Sequence, residues 1–138
     1  LSIMANGTIA FDTLTTSDQV NTGTEKSIDT SYIFNGVAKV RYNFELDSSD
    51  NAFEGSFNCS SGADNGTGDA TVTFTNAMGN QNYTPVSSTA DGDICGTQAD
   101  RTDGNASRAT TTFGSRIRDN GGTARDAIAY VALFGDLA

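Results

Sequence analysis

The strongest constraint on the fold of this chain is a period of two in two stretches of side chains. In residues 70–75 threonines alternate with small or apolar residues, and in residues 40–46 charged or polar residues alternate with apolar ones. Successive side chains of a β-strand point to opposite faces of a sheet, so this alternation is typical of half-buried antiparallel strands. Both stretches are therefore predicted to be strands.

The polar stretch 64–69 comes directly before the strand predicted at residues 70–75 and is predicted to reverse the chain. Its glycines, aspartates and asparagine are residues that adopt positive φ or hydrogen-bond their own backbone in turns. Residues 56–60 are the expected hairpin partner of residues 70–75. The dipeptide Asn65-Gly66 is the expected tight turn, with positive φ at Gly66.

Two later stretches are candidates for the remaining strands. Residues 109–118 alternate in the same way and end at the turn sequence Asp119-Asn120-Gly121-Gly122. Residues 127–134 are apolar almost throughout, and this pattern fits both one face of a helix and a strand buried on both faces. The short strands and turns elsewhere favour the strand, because a central strand here would complete an antiparallel sandwich.

The composition agrees with an all-β fold. Hydrophobic residues make up 36% of the 138-residue chain and charged residues 18%, and Ser, Thr, Asn and Gly fill the difference, which suits short strands joined by turns. We predict an antiparallel β-sandwich, jelly-roll-like, over residues 37–138. Residues 1–36 are predicted to form an extended N-terminal segment for attachment and oligomerisation, with a turn at Asn35-Gly36.

Charge and residue types exclude several classes of partner. The formal net charge of −9 repels phosphate, so nucleic acid and anionic membrane surfaces are not expected partners. No apolar run approaches the ~20 residues that span a bilayer, so membrane insertion is not expected. The chain has no histidine, and its two cysteines form no zinc or haem motif. No metal and no cofactor are predicted.

Cys59 and Cys95 are predicted to be buried free thiols. The alternative is a disulfide, which requires a fold that brings their Cα atoms to within about 7 Å. Residues 64–69 also have two interpretations, because acidic and amide side chains alternate with glycine as in a calcium-binding loop. Glycines occupy the third and fifth positions, where such a loop needs oxygen ligands, so a plain turn is predicted.

Catalysis is not predicted, since the absence of histidine removes the commonest general base. Two carboxylates about 5–9.5 Å apart could still hydrolyse a glycan. Glu45, Glu54 and the loop aspartates are the candidates, although solvated turn residues are the preferred interpretation. Aromatic side chains near predicted turns could stack on sugar rings, but core or subunit interface is their expected role; they are Tyr32, Phe34, Phe53 and Tyr83.

Nine stretches occur in a characteristic order along the chain. They are residues 7–14, 26–32, 35–39, 56–58, 64–69, 71–74, 77–78, 82–83 and 131–135. In this order they resemble small virion proteins and tail-fibre tip modules of tailed phages of marine bacteria. The resemblance implies a non-catalytic structural protein of the virion, a homotrimeric β-sandwich in a fibre or appendage that takes part in host attachment. The alternatives are a head or collar decoration protein that binds only other virion proteins, and a glycan-cleaving spike.

The expected partners are further copies of the chain, other virion proteins and a host surface glycan. Residues 47–51 and 87–107 are the predicted loops, with one short strand around Ile94, and loops on a rigid β scaffold usually carry recognition. The alternative is that their polar side chains only solvate the loops. The predicted contact residues are Asp100, Arg101, Asp103, Asn105 and Arg108. The thin core also predicts an obligate oligomer, because packing between copies would supply the missing burial.

Overall fold

The computed structural model describes residues 13–15, 27–46, 51–89, 94–99 and 108–138. The chain divides into two units, Leu1–Val37 and Ala38–Ala138. Each unit has its own β-structure. Within the ranges just given, the first contains one two-stranded sheet, and the second contains two four-stranded sheets.

In the first unit a pair of short strands precedes one helix. Strand β1 (Thr13–Thr15) pairs antiparallel with β2 (Ser27–Asp29), and helix α1 (Thr30–Gly36) follows directly. Asp29 caps the helix, because its side chain accepts a hydrogen bond of 2.8 Å from the backbone N–H of Ser31.

Helix α1 corrects the sequence prediction for residues 30–36, which were expected to be extended with a turn at the end. The apolar residues Tyr32, Ile33 and Phe34 are consecutive, so they do not show the spacing of three or four that indicates a helix. The capping residue Asp29 was the available signal. The attachment and oligomerisation role of residues 1–36 stays a prediction.

In its described residues, the second unit consists of eight strands in two sheets. The strands are β3 (Val40–Glu45), β4 (Phe53–Phe57), β5 (Cys59–Gly66), β6 (Asp69–Phe74), β7 (Thr84–Thr89), β8 (Ile94–Ala99), β9 (Thr112–Asp119) and β10 (Ile128–Phe134). Sheet one has the order β4-β3-β10-β7 and sheet two the order β5-β6-β9-β8. Neighbouring strands pair antiparallel in both sheets.

Side chains from both sheets form one buried cluster. Members from sheet one include Tyr42 and Leu133, and members from sheet two include Val72 and Phe113. The sheets approach closely at Gly62, where a Cβ atom would clash with the Phe44 ring. The predicted all-β antiparallel sandwich is therefore confirmed. The two sheets of four strands match a jelly roll in strand number. In strand order, β3 and β4, β5 and β6, and β8 and β9 are antiparallel neighbours within one sheet.

The strands predicted from alternation are confirmed as β3, β6 and β9. The apolar run at 127–134 is strand β10, which lies in the centre of sheet one between β3 and β7. The predicted hairpin partner of β6 was wrong. Residues 56 and 57 belong to β4, and β5 extends from Cys59 to Gly66. This strand lies at a sheet edge and is largely exposed, so its sequence carries no apolar alternation.

Gly66 has the positive φ that the sequence predicts, at +122°, but the tight turn expected at Asn65-Gly66 lies at Thr67 and Gly68 instead, and Gly66 ends β5. A Cβ atom on Gly66 would meet nothing within 4 Å. Gly66→Val should therefore lower the free energy of unfolding by about 1–2 kcal/mol through backbone strain alone. Urea unfolding of both proteins measures this difference. An unchanged unfolding midpoint would show that the hairpin does not depend on this conformation.

Candidate interaction surfaces

Arg108 is the one predicted contact residue within the described part of the chain, and its side chain makes contacts inside the fold. Its guanidinium carbon lies 5.3 Å from the centroid of the Tyr83 ring, and Nη1 donates a hydrogen bond of 3.1 Å to the Tyr83 carbonyl oxygen. Arg108 thus links the segment that precedes β9 to the segment that precedes β7. Asp100, Arg101, Asp103 and Asn105 lie outside the described residues.

The segment 87–107, which carries the predicted contacts, is more regular than its sequence suggests. Residues 87–89 belong to β7, and residues 94–99 form β8 around the expected position of Ile94. The prediction of loops over this whole segment is corrected accordingly. Ser, Thr, Gly and Gln in these strands hide the pattern, because both strands are sheet edges. Residues 90–93 and 100–107 lie outside the described residues, as do residues 47–50 of the other predicted loop.

The four aromatic residues considered for sugar stacking divide into two pairs. Phe53 packs against the rings of Phe44 and Tyr42, with centroid distances of 5.1 and 6.1 Å. Tyr83 is buried, and its hydroxyl lies 3.1 Å from the carbonyl oxygens of Ala109 and Thr112. Both therefore have the expected core role. In contrast, Tyr32 and Phe34 on α1 are 72% and 56% exposed.

An open concavity of about 370 Å³ lies beside helix α1. It is lined by Ser31, Tyr32, Asn35 and Gly36, all from one face of the helix. Every residue of α1 is at least partly exposed. The concavity offers hydroxyl, amide and aromatic groups, but its walls come from a single short helix.

The polar residues of the β5–β6 turn bind backbone and one another. The Asp64 carboxylate accepts a hydrogen bond of 2.8 Å from the Gly66 N–H, and Asn65 Nδ2 donates to Thr71 Oγ1 at 2.9 Å. Gly68 N–H donates to Asp126 Oδ1 at 2.6 Å. No group of three or more His, Cys, Asp or Glu side chains suited to a metal ion occurs among the described residues. These hydrogen bonds give the polar residues of the turn a structural role.

Cys59 is a free, half-buried thiol in β5. Burial raises its pKa to about 11, so the thiol stays protonated and weakly nucleophilic at neutral pH. Strand β8, which contains Cys95, lies at the opposite edge of sheet two, with β6 and β9 between. Three strand spacings amount to about 14 Å, well beyond the reach of a disulfide.

Tyr42 and Ser115 bring two hydroxyl groups into the core from opposite sheets. Both residues are almost fully buried, and neither hydroxyl has a partner with hydrogen-bond geometry. Burial raises the pKa of Tyr42 far above its ordinary value, and the nearby Ser115 hydroxyl offsets part of this change. The phenol is therefore neutral at neutral pH.

Where the pKa of a described carboxylate clearly departs from its ordinary value, the pKa is lowered, which is the opposite of what a general acid needs. Hydrogen bonds from the Ser31 side chain and backbone lower the pKa of Asp29. The pKa of Asp119 is also lowered, chiefly by the Thr123 N–H at 2.8 Å, with Arg125 Nε at 3.0 Å and the Gly121 N–H at 3.0 Å contributing. A glycosidase acid needs a raised pKa instead.

Lowering the pH should destabilise the turn that follows β9, because Asp119 becomes protonated. Its folded pKa lies below 3.8, so its contribution to stability is complete above about pH 4 and is lost as the pH falls through the folded pKa. Asp119→Asn should therefore lose less unfolding free energy than the wild type between about pH 5 and about pH 2. Denaturant unfolding at a series of pH values measures this. The control is Asp136→Asn at an exposed aspartate, and an identical pH response of both variants would contradict the assignment.

A broad apolar surface lies on the side of sheet one that faces away from the core. One row of paired residues crosses all four strands: Phe57, Arg41, Ala132 and Val86. The residues between them along the strands, such as Tyr42 and Val131, are buried, so this row faces outward. The other outward rows contain Gly55, Asn43, Tyr130 and Ser88, then Glu45 and Ile128, then Phe134 and Thr84. These residues together are called the outer face of sheet one.

Sequence reasoning did not find this face, although the unbroken apolar run at 127–134 was its signal. No protein-family model, curated protein or solved structure matches the chain. Among the described residues, no helix is long and apolar enough to cross a membrane.

Proposed function

We propose that this chain is a non-catalytic structural protein of a tailed-phage virion, a component of a fibre or appendage that takes part in attachment to the host surface. The supporting observation is that four of the nine stretches behind the resemblance are structural parts of one sandwich. Residues 56–58 form the corner between the sheets, residues 64–69 and 71–74 belong to the β5–β6 hairpin, and residues 131–134 belong to the central strand β10.

The use of the polar side chains is consistent with a scaffold that acts through its surface. Asn58, Asp64, Arg108 and Asp119 all hold neighbouring backbone. Exposed aromatic and apolar side chains and the segments between strands are available for recognition. Each contact with a host glycan would be weak, and several copies on one axis would raise the apparent affinity by avidity.

Localisation on the particle and inhibition of adsorption test this function. Antibodies against the purified sandwich should label the tail or an appendage of the parent phage in electron micrographs, and the purified protein should slow adsorption of that phage to host cells. Labelling of the head or collar, without an effect on adsorption, would favour the decoration protein. Release of soluble sugar from host glycans by the purified protein would favour the spike enzyme.

The contribution of the predicted contact residues is tested by replacing residues 100–107 with a Gly-Ser linker of equal length. This replacement leaves β8 and Arg108 intact, so folding should be retained. A matched control replaces residues 47–50. Adsorption should fall for the first variant alone, with the appendage still present on the particle. Unchanged adsorption would remove Asp100, Arg101, Asp103 and Asn105 from the receptor contact.

A further inference from the structure

We propose that the outer face of sheet one is the surface against which a second copy of this chain packs. The inference rests on the proposed function, since it assigns the contact that would build the oligomeric appendage. It starts from strand β10, the central strand of the sheet.

Strand β10 is apolar on both of its faces. Ala129, Val131 and Leu133 are buried in the core, while the outward residues Ile128, Tyr130, Ala132 and Phe134 are only partly buried. The outer face of a two-layered antiparallel sandwich normally meets water, and its strands alternate apolar and polar residues. A strand with apolar residues on both faces is typical of a sheet that is covered on both sides.

The outer face of sheet two is polar, as expected for a sheet face that meets solvent. The outward residues of β6 include Thr71 and Thr73, and those of β9 include Thr112 and Arg116. Both strands are central in sheet two, as β3 and β10 are in sheet one. The apolar outer face is therefore a property of sheet one and not of the composition of the chain.

The flanking strands extend the apolar surface to both edges of the sheet. Phe57 on β4 is 54% exposed and Val86 on β7 is 58% exposed, and both lie in the row of Ala132. Large apolar side chains exposed together on one face mark an interaction surface more often than an inert one.

The charges on the face indicate a second copy as the occupant. Arg41 and Glu45 are the charged residues among those paired across its rows, and Lys39 directly before β3 and Glu54 in β4 add one charge of each sign. These four residues carry no net formal charge, while the chain carries −9. Two copies repel each other over most of their surface, and this face lets them approach without that repulsion. Neither Arg41 nor Glu45 forms an ion pair with another described residue.

Arg41 and Glu45 lie on the same side of β3, about 13 Å apart by strand geometry. When two β3 strands face each other in opposite directions across a twofold axis, Arg41 of each copy meets Glu45 of the other. This contact joins copies in pairs, so it is separate from the threefold contact of the expected homotrimer. The face is thus complementary to itself in both charge and hydrophobicity. A glycan or an unrelated virion protein would need no such matching pair.

The first test compares Val86→Glu with Ala63→Glu by analytical ultracentrifugation of the full chain. Ala63 is an exposed residue of the edge strand β5 on the outer side of sheet two, so it is the matched control. Val86→Glu should weaken self-association by roughly tenfold or more, and Ala63→Glu should leave it unchanged. A wild-type chain that is monomeric at micromolar concentration, or equal behaviour of the two variants, would overturn the inference.

The second test mixes two charge-reversed chains, so that it does not depend on one destabilising substitution. Arg41→Glu alone and Glu45→Arg alone should each self-associate poorly, because each carries two like charges on the face. Their mixture should recover association to within about threefold of the wild type, since each chain supplies the charge that the other lacks. No recovery on mixing, with both chains folded by circular dichroism, would contradict packing of this face on a second copy.

These outcomes remain separate from the test of function. Particle labelling reports where the chain is located, whichever face it uses to self-associate. If Val86→Glu leaves the mass of the oligomer unchanged but abolishes incorporation into particles, the face binds another virion protein and the inference fails while the virion role stands.

Discussion

Gly68→Ala is expected to lower the free energy of unfolding by about 3 kcal/mol. The φ of Gly68 is +67°, and a Cβ atom there would lie 2.5 Å from the Ile117 carbonyl oxygen and within 2.9 Å of two backbone atoms of Arg125. Backbone atoms cannot rotate away as a flexible side chain can. The added methyl group would therefore displace Gly68 and disturb its hydrogen bonds with Asp126 and Ile117.

The matched control is Gly66→Ala in the same turn. Gly66 also has positive φ, but the space around it is open, so this substitution should cost only about 1 kcal/mol. Urea unfolding of the three proteins at one pH gives the comparison. Equal losses for the two variants would mean that backbone conformation alone matters here and that the approach of Gly68 to β9 has no energetic weight.

Asn58→Ala is expected to lower the free energy of unfolding by a similar amount, about 3 kcal/mol. Asn58 is the single residue between β4 of sheet one and β5 of sheet two, and its φ is +59°. Its Nδ2 donates to the carbonyl oxygens of Lys39 and Asn76, each at 3.1 Å, and its Oδ1 accepts from the Asn76 N–H at 2.7 Å. Alanine would lose these bonds and would strain the backbone as well.

Asn58→Gly separates the two effects. Glycine accepts the positive φ, so this variant should lose only the side-chain bonds and cost about 2 kcal/mol. Thermal unfolding followed by circular dichroism would rank the wild type above Asn58→Gly and Asn58→Ala last. If the alanine variant is as stable as the glycine variant, left-handed strain does not contribute at this corner.

The sequence predicted the strands whose two faces meet different surroundings. Residues 40–46 and 70–75 alternate because one face meets the core and the other meets solvent or polar neighbours, and this contrast is visible in the residue types. The edge strand β5 was mislocated because most of its residues are exposed, which leaves no contrast to detect. Helix α1 was missed for the same reason, since none of its residues is buried.

The interaction surfaces were harder to predict than the strands. Arg108 was chosen for its hydrogen-bonding capacity, but the fold uses that capacity internally, against Tyr83. The outer face of sheet one depends on which strands become neighbours, since Phe57 and Val86 reach one row only through the pairing of β4, β3, β10 and β7. No local pattern in the sequence encodes that order.

The place of β10 in sheet one has a consequence for how quickly the protein can fold. β10 pairs with β3 residues that lie 83 to 93 positions away along the chain. The loss of chain entropy on bringing such distant segments together comes before any gain from their contacts, so domains dominated by these pairings fold in milliseconds to seconds. Until β10 arrives, β3 and β7 have no strand between them and present unpaired backbone to other chains. Rapid refolding at high protein concentration should therefore favour aggregation over the native sandwich.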